Sequence, residues 1–182
     1  MQISYIAYCG IIRAELIAAA GKMIAGDALG EQLHTKPEDL RNEIQKRIDA
    51  CEPGGTIVLG YGLCGMAAAG LRSCQTNLVM PKADDCIQIL LGSRARYMEV
   101  HAEEPGTYFL TNGIIDNECD PLAQLHRQVE KHGYKKCLKL MKRALEGYKR
   151  FAYIDTGLDD ESKKYWNYTR EAAETLGMDA VR

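Results

Sequence analysis

The sequence has no apolar run long enough to cross a bilayer, which takes about 20 consecutive apolar residues. Its first residues, MQISYIAYCGIIRAEL, lack the basic start and the small-residue cleavage site of a signal peptide. An excess of one charge is also missing, since 23 basic and 25 acidic residues leave a net charge of −2. We therefore expect a cytoplasmic protein that binds neither nucleic acid nor a membrane.

The cysteines lack the features of a disulfide framework. Their total of seven is odd, and thiols stay reduced in the cytoplasm. A chain of 182 residues buries roughly 70% of its unfolded surface, so it needs no disulfide or metal to be compact. The uses left for these cysteines are core packing, metal ligation and thiol chemistry.

Short apolar segments alternate with helical segments along the chain. Strands are predicted over residues 3–8, 56–59, 77–80, 107–111, 151–154 and 178–181. Segments that are apolar throughout and separated by helices are typical of parallel βαβ units with right-handed crossovers. We expect an α/β fold with three layers, a mostly parallel sheet and helices on both faces, as in Rossmann-like proteins.

The pattern also predicts the segments between these strands. Helices are predicted over residues 11–23, 36–52, 66–71, 87–91, 121–132, 134–148 and 160–176, a loop over residues 26–34, and a turn at Asn112-Gly113. Thr35 is the predicted N-cap of the second helix. We see no linker and expect one domain over residues 1–182, truncated at its C-terminus.

Three cysteines follow predicted strands. Cys9 comes directly after the first strand, Cys64 five residues after the second and Cys86 six residues after the third. Since parallel strands end at one edge of a sheet, where ligands bind, we expect the three thiols to meet there. A nearby helix N-terminus stabilises the thiolate, the form that binds soft metals.

This pattern predicts a metal site at Cys9, Cys64 and Cys86. Three thiolates with one exchangeable position suit a catalytic zinc, and they can also hold an iron–sulfur cluster with a free iron corner. The alternative for each cysteine is core packing, because cysteine is among the most buried residue types. Cys51 and Cys137 are interpreted as helix-packing residues.

A glycine-rich segment surrounds the second of these cysteines. The run GYGLCG, residues 60–65, lies between a predicted strand and a predicted helix and matches the letters of a dinucleotide-binding loop. Gly60, Tyr61, Gly62 and Gly65 are therefore candidate cofactor-binding residues, because glycine allows the backbone to approach a ligand closely. The expected acidic residue about 20 positions later is not clearly placed, so nucleotide binding stays open.

Two charged residues near these cysteines are candidates for catalysis. Asp84 and Asp85 precede Cys86, and one is expected to cap the following helix. The other, assigned as Asp85, is expected to act as a base or to hydrogen-bond to a metal ligand. Arg13 follows Cys9 and could hold an anionic ligand; a surface ion pair is the alternative.

The same segments resemble the family of uncharacterised proteins that carries domain of unknown function 1638, DUF1638. The matching residues are Cys9-Gly10 with Arg13 and Glu15-Leu16, GYGLCG at 60–65, ADDCIQILLGS at 83–93, PGTYFLT at 105–111 and YIDTG at 153–157. The resemblance implies a protein of methanogens and other anaerobes. It also implies partners among corrinoid-dependent methyltransferases for methylamine-type substrates.

Three functions are consistent with these residues. The first is a metal-thiolate protein of corrinoid or methylamine-type one-carbon metabolism, transferring a methyl group or assisting its transfer at zinc or an iron–sulfur cluster. The second is a non-catalytic accessory module that binds a small anionic ligand or cofactor in the glycine-rich cleft. The third is a thiol enzyme with one nucleophilic cysteine. Whether the protein is an enzyme is left open by the sequence.

Overall fold

The computed structural model describes residues 3–20, 26–29, 36–158 and 162–182. The strands in these residues are β1 Ile3–Cys9, β2 Gly26–Leu29, β3 Thr56–Gly60, β4 Asn77–Val79, β5 Thr107–Leu110, β6 Arg150–Tyr153 and β7 Asp179–Val181. The helices are α1 Arg13–Ala20, α2 Pro37–Asp49, α3 Cys86–Leu90, α4 Arg94–Glu103, α5 Asn112–Asp116, α6 Pro121–His132, α7 Tyr134–Ala144 and α8 Ser162–Leu176. None of these helices combines the length and the apolar character that crossing a bilayer requires.

The first sheet has the strand order β2-β1-β3-β4, and every neighbouring pair is parallel. Its two inner strands carry the apolar segments, with Ile6 opposite Val58 in the register and Ile57 and Leu59 fully buried. Inner strands are covered on both faces, which explains why their sequence is apolar rather than alternating. Helix α2 adds three buried side chains at helical spacing, Leu40, Ile44 and Ile48.

The second sheet has the order β5-β6-β7 and is also parallel. Its inner strand, β6, buries Phe151, Ala152 and Tyr153. Helix α8 packs on β6 and β7, while α6 packs against α7. The predicted α/β class with parallel, Rossmann-like sheets and surrounding helices is therefore confirmed.

The chain divides into two compact units, Met1–Arg94 and Ala95–Arg182, and each contains one of the sheets. A single domain over residues 1–182 stays a prediction.

The prediction of a loop at residues 26–34 is wrong where the structure describes it, because Gly26–Leu29 forms strand β2. This strand pairs with β1 so closely that a Cβ atom on Gly26 would collide with the Ile6 carbonyl. Glycine and aspartate are rare in strands, and pairing with β1 overrides that preference here. Residues 30–35, including the predicted N-cap Thr35, lie outside the described residues.

Two local predictions in the loops are also wrong. Residues 64–70 form turns rather than a helix, and Asn112-Gly113 begins helix α5 rather than a turn. The helix α5 forms because the Thr111 side chain accepts a hydrogen bond from the Ile114 N–H and so caps it. Helix α4 is not predicted at all, since it has no buried residue and hence no apolar periodicity.

Candidate functional site

The segments that carry the predicted site residues do come together at the carboxyl edge of the first sheet. Cys9 ends β1 and is the N-cap of a short 3₁₀ turn, Gly10–Ile12. Gly60 ends β3, and Cys86 opens α3, which contacts that 3₁₀ turn. The segments that carry the cysteines therefore lie at one edge of the sheet, while the meeting of the three thiols stays a prediction.

Backbone hydrogen bonds join the loop after β3 to the loop after β4. The Leu63 N–H donates to the Ala83 carbonyl and the Cys64 N–H to the Asp84 carbonyl, each at 2.9 Å. Gly62 packs so tightly that a Cβ atom there would lie 2.6 Å from the Asp85 nitrogen. The two loops therefore form one surface.

Tyr61, which is fully buried, connects the loop after β3 to the ends of β1 and β2. Its hydroxyl donates to the Tyr8 carbonyl at 2.6 Å and accepts a hydrogen bond from the Leu29 N–H, at the ends of β1 and β2. Burial raises the pKa of Tyr61 well above its ordinary value, and the nearby Cys9 and Cys64 thiols add to this effect. Tyr61 is thus a neutral phenol that joins strand ends.

Burial differs among the three predicted metal ligands. Cys9 is fully buried, Cys86 is 9% exposed and Cys64 is half-buried. Within the described part of the chain, no three His, Cys, Asp or Glu side chains come together in a group that could hold a metal ion. The predicted zinc or iron–sulfur site at the three cysteines is thus unsupported by the side-chain geometry and stays a prediction.

The other predicted residues have identifiable positions. Asp85 is the N-cap of α3, where its carboxylate accepts a hydrogen bond from the Gln88 N–H at 2.9 Å. Asp84 is exposed, and its backbone N–H donates to the Gln88 side chain. Arg13 is exposed on the first turn of α1. Catalytic roles for Asp85 and Arg13 stay predictions, although capping alone explains Asp85.

The glycines of the GYGLCG run have packing roles. A Cβ atom on Gly60 would lie 2.7 Å from the Tyr8 Cβ, and Gly65 has a φ of +64°. Together with the contact of Gly62 with Asp85, these constraints account for the three glycines without a ligand. Cofactor binding by Gly60, Tyr61, Gly62 and Gly65 stays a prediction.

A cavity of about 620 Å³ opens beside these loops, and we call it the edge cavity. It is lined by Leu63, Met80, Pro81, Lys82, Ala83, Asp84, Gln88 and Arg94. This volume is in the range of small-molecule sites, and the position beyond the carboxyl ends of parallel strands is where α/β sheets bind ligands. The edge cavity is therefore the candidate binding site of the first unit.

A second cavity of about 700 Å³ lies at the opposite edge of the first sheet, where β1 and β3 begin. Its lining includes Tyr5, Arg47, Cys51 and the Pro53–Gly55 turn. The Arg47 guanidinium is held by the Glu43 carboxylate at 2.9 Å, and burial raises the pKa of Cys51. Its position at the amino edge makes it the weaker candidate despite its size.

The family model for "Protein of unknown function (DUF1638)" matches residues 28–182. The chain belongs to the DUF1638 family. The resemblance found in the sequence is therefore confirmed, although Cys9 and Arg13 precede the matched residues. Searches of curated proteins and of solved structures found no match.

The second unit of this DUF1638 chain has a polar cluster at the carboxyl edge of its own sheet. The Tyr153 hydroxyl donates to the Asn112 side-chain oxygen, and the Tyr165 hydroxyl donates to the Asp116 carboxylate at 2.9 Å. Asp155 follows β6 and pairs with Arg182, which holds the pKa of the Asp155 carboxyl below its usual range. These groups satisfy one another, so the cluster has a structural explanation.

Sequence reasoning about this DUF1638 chain missed Lys82, Gln88 and Arg94 as site residues. Lys82 and Arg94 are 12 positions apart in the sequence and converge only when α3 folds between them. One sequence pattern could have indicated Gln88: an Asp followed three residues later by Gln resembles a capping box and predicts the start of a helix. No sequence pattern marks the cavity itself.

Proposed function

We propose that this DUF1638 chain is a non-catalytic binding module that holds a small anionic molecule in the edge cavity. The observation that supports this proposal above the others is the cavity's position where the loops after β3 and β4 meet. A ligand there would contact the loop that carries Leu63 and the loop that carries Lys82 and Asp84. This function corresponds to the accessory module expected from the glycine-rich cleft.

The charges around the cavity favour an anion. Two cationic side chains, Lys82 and Arg94, line it beside one carboxylate, Asp84. Arg94 and Asp84 are 4.0 Å apart, and their side chains are 75% and 64% exposed. An exposed pair at this distance is weak, so the Arg94 guanidinium can turn to a carboxylate or phosphate of a ligand.

The uncharged residues that line the edge cavity indicate which other groups its ligand carries. The apolar residues Leu63, Met80, Pro81 and Ala83 also line the cavity, and so does Gln88, which is buried. The proposed ligand therefore joins an anionic group, for Lys82 and Arg94, to an apolar body.

Anilinonaphthalene sulfonate is a suitable first probe, because it joins a sulfonate to apolar rings and fluoresces when its rings leave water. We expect it to bind the folded protein. The double variant Lys82→Gln with Arg94→Gln should bind it about ten-fold more weakly, because two charge-assisted contacts are lost. A fluorescence titration measures both affinities.

The matched control is the double variant Arg96→Gln with Lys131→Gln, which removes the same charges from exposed positions outside the edge cavity. Its affinity should equal that of the wild type. If the cavity variant and the control bind the probe equally, the edge cavity is not the binding site and the proposal fails.

The second candidate is a metal-thiolate protein with zinc or an iron–sulfur cluster at Cys9, Cys64 and Cys86. It would act in corrinoid or methylamine-type one-carbon metabolism beside a corrinoid protein or methyltransferase. The observation that favours it is that the Cys9 and Cys64 thiols both raise the pKa of the same buried phenol, Tyr61.

Metal analysis of anaerobically purified protein tests this second candidate. About one or more zinc or iron atoms per chain, lost in Cys9→Ser and kept in Cys74→Ser, supports it. Cys74 is the matched control because its thiol is exposed and it is not one of the three predicted ligands. Less than about 0.2 zinc and iron per wild-type chain contradicts it.

A further inference from the structure

The turn that carries Cys64 has an unusual backbone conformation. Cys64, Gly65 and Met66 have successive φ values of +45°, +64° and +72°, and two of these residues are not glycine. The left-handed region is unfavourable for a residue with a Cβ atom, because the Cβ approaches the following carbonyl oxygen. Contacts from outside the turn must therefore hold it in this conformation.

Helix α2 provides those contacts through Arg41. Its guanidinium donates from Nη2 to the Met66 carbonyl at 2.8 Å and from Nε to the Ala67 carbonyl at 3.3 Å. One turn further along α2, the Gln45 side chain exchanges two hydrogen bonds with the Arg72 backbone, at 2.8 and 3.1 Å. One face of α2 therefore holds both ends of the segment 66–72.

The same turn is continuous with the wall of the edge cavity. The Ala68 N–H donates to the Leu63 carbonyl at 3.3 Å, and the Leu63 N–H donates to the Ala83 carbonyl. Leu63 and Ala83 both line the cavity, whereas Arg41 does not. A displacement of residues 66 and 67 would thus reach the cavity through Leu63.

We propose that Arg41 is a positioning residue for the edge cavity, an inference that rests on the proposed ligand-binding function. It holds the left-handed turn at Cys64–Met66 and thereby fixes Leu63 against Ala83. Arg41 acts at a distance from the ligand, and the bidentate reach of its guanidinium explains why an arginine stands there.

Hydrogen exchange and probe binding test this inference on the full chain. In Arg41→Met, which keeps the apolar stem and removes the donors, we expect the amides of residues 63–68 to exchange about ten-fold faster. The affinity for anilinonaphthalene sulfonate should fall about three-fold or more, since the cavity wall loses its fixed position. Arg41→Lys retains one donor and should restore part of both properties.

Arg47→Met is the matched control, because Arg47 is on the same helix and bonds to Glu43. It should leave exchange at residues 63–68 unchanged. Unchanged exchange there in Arg41→Met, exchange that rises equally across residues 36–94, or unaltered probe affinity beside faster exchange would each overturn the inference. If the wild type binds no probe, the proposed function fails, while the exchange measurement still decides whether Arg41 holds the turn.

Discussion

At the scale of single residues, the glycines of the GYGLCG run were expected to allow a ligand to approach the backbone. The structure contains a close approach at these glycines, but the neighbour is another part of the protein. Glycine predicts that something approaches the backbone closely. At Gly60 the neighbour is the Tyr8 side chain, and at Gly62 it is the backbone of Asp85. The close approach is thus between parts of the protein, which a pattern of letters cannot distinguish from approach to a ligand.

Replacing Gly62 with alanine should destabilise the first unit by about 1–3 kcal/mol. The new Cβ would lie 2.6 Å from the Asp85 nitrogen and 2.7 Å from its Cα, and backbone atoms cannot move aside cheaply. Urea unfolding followed by circular dichroism measures the loss. Gly147→Ala is the control, since no atom lies within 4 Å of its Cβ position, and a similar loss in both variants would contradict the packing argument.

At the scale of elements, the sequence predicts that one of Asp84 and Asp85 caps α3, and the cap is Asp85, the residue that was assigned the site role. The pattern Asp85 to Gln88 is a capping pattern, and the structure contains the bond from the Gln88 N–H to the Asp85 carboxylate. The Gln88 side chain in turn accepts from the Asp84 N–H at 2.9 Å. This arrangement fixes the loop that presents Lys82 and Asp84 to the cavity.

Asp85→Ala should reduce the free energy of unfolding by about 1 kcal/mol, because α3 loses its N-cap. Asp85→Asn should retain most of the stability, since an amide oxygen can still accept from the Gln88 N–H. Equilibrium denaturation of the two variants checks this. Equal losses would show that the carboxylate charge matters rather than the cap.

The inner strands β1 and β3 could be predicted because a strand that is buried on both faces has a continuous apolar sequence. Strand β2 could not, since Gly26 and Asp27 have low strand propensity and only pairing with β1 makes them extended. The candidate site also has a predictable part and an unpredictable part. The position of the cysteines after strand ends could be predicted from the order of elements in the sequence. The contacts of Arg41 join residues 25 and 26 positions apart, so no local sequence pattern indicates them.

At the scale of the whole molecule, the buried Tyr61 and the half-buried Tyr108 and Tyr168 make the stability depend on pH in the alkaline range. Burial raises the pKa of Tyr61 in the first unit and that of Tyr168 in the second. It also raises the pKa of Tyr108 to about 12, with Tyr148 and Asp120 adding to the effect. Because the folded-state values are raised, the stabilisation is complete below the unfolded value of about 10 and is lost as the pH rises above it.

Tyr108→Phe should therefore weaken the loss of stability between pH 10 and pH 12. The Tyr108 pKa rises from 10.0 to about 12 on folding, so its share of the loss is up to about 3 kcal/mol across that window. Urea unfolding at pH 8, 10 and 11.5 measures it. Tyr134→Phe, at a position that is 51% exposed, is the control, and an identical pH profile for Tyr108→Phe and the wild type would refute the assignment.

The division into two compact units has a spectroscopic consequence. The chain has one tryptophan, Trp166, and it lies on α8 in the second unit. Its emission therefore monitors that unit directly, while the first unit, with its cavity and its cysteines, has no indole of its own. A fluorophore attached to the exposed thiol of Cys74 would supply the missing signal and let melting of the two units be followed in separate colours.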